Sequence, residues 1–307
     1  MLMMFTDGCS LTNQKLTHEM TLKYIGLKKM ENYPSGSTMS VYDKRIYVMG
    51  DDALSLVVLD DDFKMIDSIE FFKNDENRIE KAKKADIESS EWLVKNGISK
   101  LWLFGSGSLS PQRDSAFCFD PATRKIERID MGVFYQKIKN LGILELNIEA
   151  TALIDNQLVF GSRGNLSNKQ NYLILSTASA FPEPRNLKTI LLDLPEKAGI
   201  SGLWYLPDDD VLLMTSSEEN TGNAYDDGEI GESYFGIIYQ ASQKMVKFRL
   251  LPDEWIKLST LHSDLSKQKI ESVSAIKSGQ GYKLILISDD DQGGTKLFNL
   301  NLQIRRD

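Results

Sequence analysis

The chain has few of the residues on which the most recognisable catalytic and metal centres depend. Its 307 residues include two cysteines and two histidines. Two cysteines exclude a disulfide framework, and two histidines argue against a histidine-dependent nucleophilic triad or a histidine-rich transition-metal centre. The sequence also contains no P-loop, no dinucleotide-binding fingerprint and no Cys-x-x-Cys pair. The chemistry of a site therefore has to come from carboxylates, arginines, amides and aromatic rings.

The sequence also lacks a net positive charge and long apolar runs. The formal net charge is −8 at pH 7 and the sequence pI is near 5.0. This balance argues against a nucleic-acid or anionic-membrane surface, because Lys and Arg supply the phosphate-neutralising charge. No apolar run approaches the roughly 18–20 residues that span a bilayer. We expect a monomer whose partner is a small molecule or metal ion, with no nucleic acid and no transmembrane segment.

The start of the chain leaves the compartment open. The stretch from Met1 to Phe5 is apolar but too short for the hydrophobic region of a secretory signal. Gly8-Cys9-Ser10 resembles the end of a bacterial lipoprotein signal, which would apply if the natural start lay upstream. We therefore expect a bacterial protein that is either cytoplasmic or exported as a lipoprotein.

A repeat is the most informative feature that is present. Five times a small or acidic opening precedes an apolar run that ends in a polar, glycine- or aspartate-rich loop. The openings are Ser35-Gly36-Ser37-Thr38, Asp86-Ile87-Glu88-Ser89, Asn147-Ile148-Glu149-Ala150, Gly199-Ile200-Ser201-Gly202 and Lys269-Ile270-Glu271-Ser272. Internal periods of roughly 50–70 residues that are rich in short alternating strands are typical of a propeller. The sequence predicts an all-β fold, a single β-propeller of five four-stranded blades, with six blades as the alternative.

The last repeat lacks a fourth strand, and the N-terminus can supply it. Residues Met20 to Ile25 alternate and precede the first complete repeat. A strand there would complete the last blade, close the ring and remove exposed sheet edges. We therefore divide the chain into an N-terminal segment, 1–28, and a propeller domain, 29–307. The fourth strand of the fourth repeat is predicted at Met245 to Leu250, and residues 72–85 and 131–146 are predicted to be insertions with a helical turn or two.

Propeller geometry predicts where a site would lie. The first strand of each blade lines the central channel, and the loops that enter it share a face with the loops joining second and third strands. This face is predicted to carry a ligand site at the channel mouth. Its predicted ligand-binding residues are Glu88, Glu149, Glu271, Arg113, Arg163, Asn165 and Trp204. The long acidic loop from Glu218 to Glu229 is predicted to overhang the same mouth, or to be a solvated surface loop.

Three interpretations of the glutamates stay open. Converging carboxylates repel one another unless a cation, an arginine or a raised pKa relieves them, so one interpretation is a structural salt-bridged channel. A second is a Ca²⁺ site with Asp289, Asp290 and Asp291 as ligands, because Ca²⁺ takes hard oxygen ligands. The third is a hydrolase, either a phosphoesterase or a glycosidase that uses a pair of these carboxylates.

Several phrases resemble uncharacterised bacterial propellers in the neighbourhood of the phytase-like and SdiA-regulated families. They are Asn147-Ile148-Glu149-Ala150, Gly199-Ile200-Ser201-Gly202-Leu203-Trp204, Ser288-Asp289-Asp290-Asp291, Leu103-Phe104-Gly105-Ser106-Gly107-Ser108 and Ser162-Arg163-Gly164-Asn165. The resemblance covers about residues 85–300. It implies a propeller with repeated blade openings, calcium binding as in some members, and a protein that is often exported.

Overall fold

The computed structural model describes residues 18–165, 167–183, 185–195, 197–220, 228–289 and 294–306. The strands within these residues are β1 (His18–Met30), β2 (Gly36–Tyr42), β3 (Arg45–Gly50), β4 (Ser55–Leu59), β5 (Met65–Glu70), β6 (Ile87–Lys95), β7 (Ile98–Gly105), β8 (Ser115–Asp120), β9 (Lys125–Asp130), β10 (Ile148–Ile154), β11 (Gln157–Ser162), β12 (Asn171–Thr177), β13 (Lys188–Leu192), β14 (Ala198–Leu206), β15 (Val211–Asn220), β16 (Glu229–Tyr239), β17 (Arg249–Leu250), β18 (Glu254–Lys257), β19 (Lys269–Ser278), β20 (Gly281–Asp289) and β21 (Thr295–Arg306). The helices are α1 (Gly132–Lys139), α2 (Ala241–Lys244) and the 3₁₀ turns Ala178–Ala180, Leu258–Thr260 and Ser263–Leu265.

These strands form five sheets, each a blade. In sheet order the blades are β2-β3-β4-β5, β6-β7-β8-β9, β10-β11-β12-β13-β17, β14-β15-β16-β18 and β19-β20-β21-β1. The first strands β2, β6, β10, β14 and β19 contact one another in a closed ring. They are therefore the inner strands around the channel. The predicted five-bladed propeller is confirmed, and the six-bladed alternative is wrong.

The N-terminal strand closes the ring as predicted. β1 pairs antiparallel with β21 over almost its whole length, with a bulge at Ile25, and forms the outer strand of blade five. It continues to Met30, two residues past the predicted boundary between the N-terminal segment and the propeller. The last blade is therefore assembled from both ends of the described chain, which leaves the C-terminal strand β21 without an open edge.

The core lies between the blades. Alternate residues of β7 face opposite neighbours: Leu101 and Leu103 pack with side chains of blade one, whereas Trp102 and Phe104 pack with blade three. Five such apolar layers, one between each pair of adjacent blades, hold the ring together. The middle strands of each sheet are buried on both faces and are rich in apolar residues, whereas outer strands such as β5 and β9 are largely exposed.

The predicted fourth strand of blade four is wrong. The segment predicted as a strand, Met245 to Leu250, follows α2, and its last two residues form β17, which pairs parallel with β13 of blade three. The fourth strand of blade four is instead β18, which pairs with β16. Met245 and Leu250 were misleading because they are apolar and both are buried. They do not belong to one strand, however, and both pack in the apolar layer next to blade three.

The two insertions differ. Residues 131–146 contain α1, whose side chains Phe134, Tyr135 and Ile138 are buried between blades two and three. The insertion at 72–85 has turns and no helix within the described residues. Among the described residues there is no helix long and apolar enough to cross a membrane.

Candidate functional site

β-Bulges position one side chain from each blade at the channel mouth. Near the start of every inner strand the pairing register shifts by one residue, which leaves a residue unpaired. The five bulge residues are Ser37, Glu88, Glu149, Ser201 and Glu271. A bulge re-aims its extra side chain and increases the local twist. The predicted glutamates therefore occupy equivalent positions around one axis.

The local sequence explains the bulges. The residue before each bulge glutamate is a fully buried isoleucine, as at Ile87 and Ile270, which anchors the strand start between blades. The residue after each bulge is small, which lets neighbouring inner strands approach one another. Gly202 is the tightest case, because a Cβ there would lie 2.9 Å from the backbone nitrogen of Val273 in the next blade.

A cavity of about 280 Å³ lies at this mouth. It is lined by Glu88, Glu149, Glu271 and Asp289, together with further charged side chains. In all, eight carboxylate and four cationic side chains line it, and Ile79 is the only large apolar side chain among the described lining residues. The structure thus brings the three predicted glutamates and Asp289 into one strongly acidic cavity.

A lysine occupies one corner of the cavity. Carboxylate oxygens of Asp51, Asp86 and Glu88 lie within 4.8 Å of one another, a grouping that could hold a metal ion. The Lys84 ammonium forms ion pairs with Asp51 and, at 2.9 Å, with Asp86. Behind them the Arg113 guanidinium lies 2.6 Å from Asp86. The corner therefore contains bound positive charge supplied by the protein itself.

Burial and the neighbouring charges in this corner shift the pKa values of its side chains. Burial raises the pKa of Asp51 to about 6, against the lowering effect of Lys84. Burial also tends to raise the pKa of Asp86, but Lys84 and Arg113 outweigh it, so this pKa lies below its usual value. Burial tends to lower the pKa of Lys84, but Asp51 and Asp86 raise it above the usual value. Lys84 is therefore a fully charged ammonium at neutral pH.

The second corner is compensated by a buried arginine and a lysine. Arg163 lies 3.6 Å from Glu149 and 3.1 Å from Glu219. Lys269 lies 3.0 Å from Glu271 and 3.5 Å from Glu219. Burial raises the pKa of Glu149 to about 7, although Arg163 opposes the rise. Glu149 therefore titrates near neutral pH.

Glu88 is the bulge glutamate that has no ion pair among the described residues. Within the described residues its side chain accepts no hydrogen bond and forms no ion pair. Burial raises its pKa well above the usual range, and the nearby Asp86 and Glu149 carboxylates add to the rise. Three buried oxygens beside the same cavity, Asp51 Oδ1, Asp52 Oδ1 and Glu271 Oε2, also have no hydrogen-bond partner among the described residues. Donors or a cation from outside the protein would satisfy these groups.

The other predicted residues lie elsewhere. Arg113 and Arg163 are buried behind the carboxylates and act as their counterions. Asn165 donates a hydrogen bond to Glu145 at 2.5 Å and lines a separate cavity between blades three and four. Trp204 lines a third cavity with Leu153 and Asp155, at the end of the channel where β10 turns into β11. The structure does not bring Asn165 or Trp204 to the channel mouth.

Two predicted features fall outside the described residues. Asp290 and Asp291 lie there, and so do residues 221–227 of the acidic loop. Asp289 is described, buried and part of the cavity lining.

Sequence reasoning missed Asp51, Asp86 and Lys84, which form the corner of the cavity that the lysine occupies. Asp51 and Asp86 stand in the repeated phrases Gly50-Asp51-Asp52 and Asp86-Ile87-Glu88, so the repeat carried a signal for them. Lys84 lies in an insertion without periodicity, and nothing in the pattern marks it as buried. Its partner Asp51 is 33 residues away in sequence.

Two solved structures resemble this chain. The chain is similar to the crystal structure of Myxococcus xanthus glutaminyl cyclase, with 10% sequence identity, a TM-score of 0.51, and coverage of 92% of this chain and 97% of that one. It also matches a member of the DUF4221 family from Bacteroides vulgatus, with 12% identity, a TM-score of 0.40, and coverage of 94% and 99%. No curated protein matches the chain.

Of the expected resemblance, the propeller fold is confirmed, and its phytase-like part stays a prediction. The family described as "Family of unknown function (DUF6929)" matches residues 32–302, so the chain belongs to that family.

Proposed function

We propose that the channel mouth binds a small cationic ligand. The observation that carries the proposal is Glu88, a carboxyl that lines the cavity with no partner among the described residues. The buried, unpartnered oxygen of Glu271 beside the same cavity supports it. Concave sites with a few convergent polar groups are the usual place for a ligand.

Charge favours a cation over an anion. Carboxylates outnumber cationic side chains by eight to four in the cavity lining. Burial first, and then the nearby Asp86 and Glu149 carboxylates, raise the pKa of Glu88; an added positive charge would offset both effects, whereas a phosphate group would add negative charge to the cavity. This argument favours the ligand-binding interpretation and disfavours the phosphoesterase.

Two kinds of cation fit the lining. Ca²⁺ takes six to eight hard oxygen ligands, and Glu88, Glu149, Glu271 and Asp289 offer carboxylates beside one cavity. The resemblance to phytase-like propellers, some of which bind calcium, makes Ca²⁺ the first metal to test. The volume of about 280 Å³ also leaves room for an organic ammonium compound of several atoms, since a water molecule takes about 30 Å³ in the liquid.

The experiment is a calorimetric titration of the protein with Ca²⁺ and, separately, with a set of organic ammonium compounds. We expect at least one of them to bind, and Glu88→Gln to weaken binding by about tenfold or more, a typical loss for one charged contact. Glu127→Gln is the matched control, because Glu127 is exposed on the outer strand of the same blade. No binding by the wild-type protein, or equal binding by Glu88→Gln, contradicts the proposal.

A glycosidase is the second candidate, and one observation favours it. The pKa of Glu88 lies well above its usual range and that of Glu149 is about 7. A protonated carboxyl beside a second carboxyl that can ionise is what acid–base hydrolysis of a glycoside needs. Turnover of nitrophenyl glycosides that is lost in Glu149→Gln at unchanged stability would favour this candidate.

A further inference from the structure

The connection between blades one and two borders the cavity at the channel mouth. It leaves β5 at Glu70 and enters β6 at Ile87. We call residues 73–84 the strap. Its side chains that line the acidic cavity are Glu76, Arg78, Ile79, Glu80, Lys81 and Lys84. The strap therefore forms part of the cavity wall, together with the bulge glutamates of the inner strands.

Polar contacts hold the strap in place. Arg78 donates from Nε to Asp52 at 2.7 Å and from Nη2 to the Ser35 hydroxyl at 3.0 Å. The Ile79 amide donates to the Asp52 carbonyl at 2.9 Å. Residues 73–78 are exposed, and Ile79 is the only large apolar side chain in the strap. Because little apolar surface is buried, lifting the strap breaks a few hydrogen bonds and leaves the core intact.

Lys84 is the deepest attachment of the strap. Its residue is 8% exposed, and its ammonium lies between Asp51 and Asp86 in the group of three carboxyls that Glu88 completes. Three carboxylate oxygens within 4.8 Å of one another can surround one cation. The ammonium of Lys84 already fills that role.

We infer that Lys84 is a built-in competitor for the cation, so that a cation binding to Asp51, Asp86 and Glu88 displaces the Lys84 ammonium and lifts the strap from the channel mouth. The inference rests on the proposed cation binding at this mouth. Two cations cannot share three carboxyls at this spacing without strong repulsion. The coupling is reciprocal: a closed strap weakens cation binding, and a bound cation favours an open strap.

The first test compares two neighbouring lysines. Lys84→Met removes the competitor, and we expect Ca²⁺ to bind about tenfold more tightly than to the wild type or better. Lys83→Met is the matched control, because it removes the same charge from the same strap. Lys83 is exposed, and its ion pair is with Glu80, 2.9 Å away in the strap itself. Binding by this variant should stay within about twofold of the wild type.

A second variant keeps Lys84 and loosens the strap instead. Arg78→Gln removes the contacts to Asp52 and Ser35, and we expect Ca²⁺ affinity to rise by about threefold because the closed state is less favoured. Hydrogen exchange gives an independent readout. Ca²⁺ should speed the exchange of the Ile79 amide in the wild type and leave the amides of β7 unchanged.

The outcomes separate this inference from the proposed function. If the wild type binds Ca²⁺ and neither Lys84→Met nor Arg78→Gln binds it more tightly than Lys83→Met does, the inference is wrong and the proposed function stands. If Lys84→Met alone binds Ca²⁺, Lys84 blocks the group of carboxyls, but the ion does not displace it, so the displacement and calcium binding by the wild type are both refuted. If no variant binds it, both are refuted for calcium, because a vacated group of three carboxyls should bind the ion.

Discussion

Ring closure by β1 should dominate the stability of the propeller. Leu22 lies on this strand opposite Leu302 and is 8% exposed, packed in the apolar layer between blades four and five. Truncation of a buried leucine to alanine typically costs about 2–5 kcal/mol. We expect Leu22→Ala to lower the free energy of unfolding by an amount in that range.

Ile25 supplies the matched control on the same strand. It is 55% exposed and is the unpaired bulge residue between Tyr24 and Gly26. Ile25→Ala removes as large a side chain from the same strand, but from its exposed face, so the free energy of unfolding should change by about 0.5 kcal/mol or less. Urea unfolding followed by circular dichroism measures both variants.

Deletion of the strand extends the test. Removing residues 1–30 loses the burial of Met20 and Leu22, about 3–6 kcal/mol together, from a total stability that is typically about 5–15 kcal/mol. It also exposes the edge of β21. Removing residues 1–17 leaves β1 whole and is the control for the loss of the strand itself. Equal effects of Leu22→Ala and Ile25→Ala, or unchanged unfolding after deletion of 1–30, would refute the closure argument.

Three further predictions concern the buried charges and the close packing of Gly236 against Trp255, and urea unfolding checks each. Arg163→Met should destabilise the fold by about 3–5 kcal/mol because it leaves buried carboxylates unpaired, whereas Arg185→Met breaks an exposed pair and should cost about 1 kcal/mol or less. The folded-state pKa of Glu149 is raised from 4.5 to about 7, so the folded state keeps a proton that the unfolded state loses. Stability should therefore fall as pH rises from about 4.5 to 7, and less steeply in Glu149→Gln; an equal slope would contradict the shift. Gly236→Ala places a Cβ 2.2 Å from the Trp255 ring, whereas Gly26→Ala meets nothing within 4 Å, so only the first should cost about 1–3 kcal/mol.

Much of the fold could be predicted because the repeated phrases mark where each inner strand begins. Four of the five inner strands begin with a buried isoleucine before the bulge, blade one has Gly36 there, and all five have a small residue after the bulge. The same pattern placed Glu88, Glu149 and Glu271 at one mouth. The fourth strand of blade four had no such marker, because an outer strand packs on fewer neighbours and β18 is only four residues long.

The length of β14 explains why Trp204 does not lie at the channel mouth as predicted. Trp204 follows the opening phrase of blade four by a few residues, and the sequence places it close to the channel mouth. An extended strand rises about 3.3 Å per residue, so the six residues from Ala198 carry Trp204 about 20 Å along β14. It therefore lies towards the opposite end, beside Asp155.

The charges of the site depend on which blades carry glutamate at the bulge. Blades two, three and five do, whereas the serines of blades one and four are used within the protein: Ser37 donates to the Ile87 carbonyl and Ser201 to Thr215. The acidic side of the mouth is therefore set by Glu88, Glu149 and Glu271. Two of these three have a counterion from the propeller itself, and Glu88 has the strap beside it. Glu88, which has no ion pair among the described residues, thus lies in the same group of carboxyls as the partners of Lys84, and this arrangement is the reason that we infer exchange of cations there rather than a permanent salt bridge.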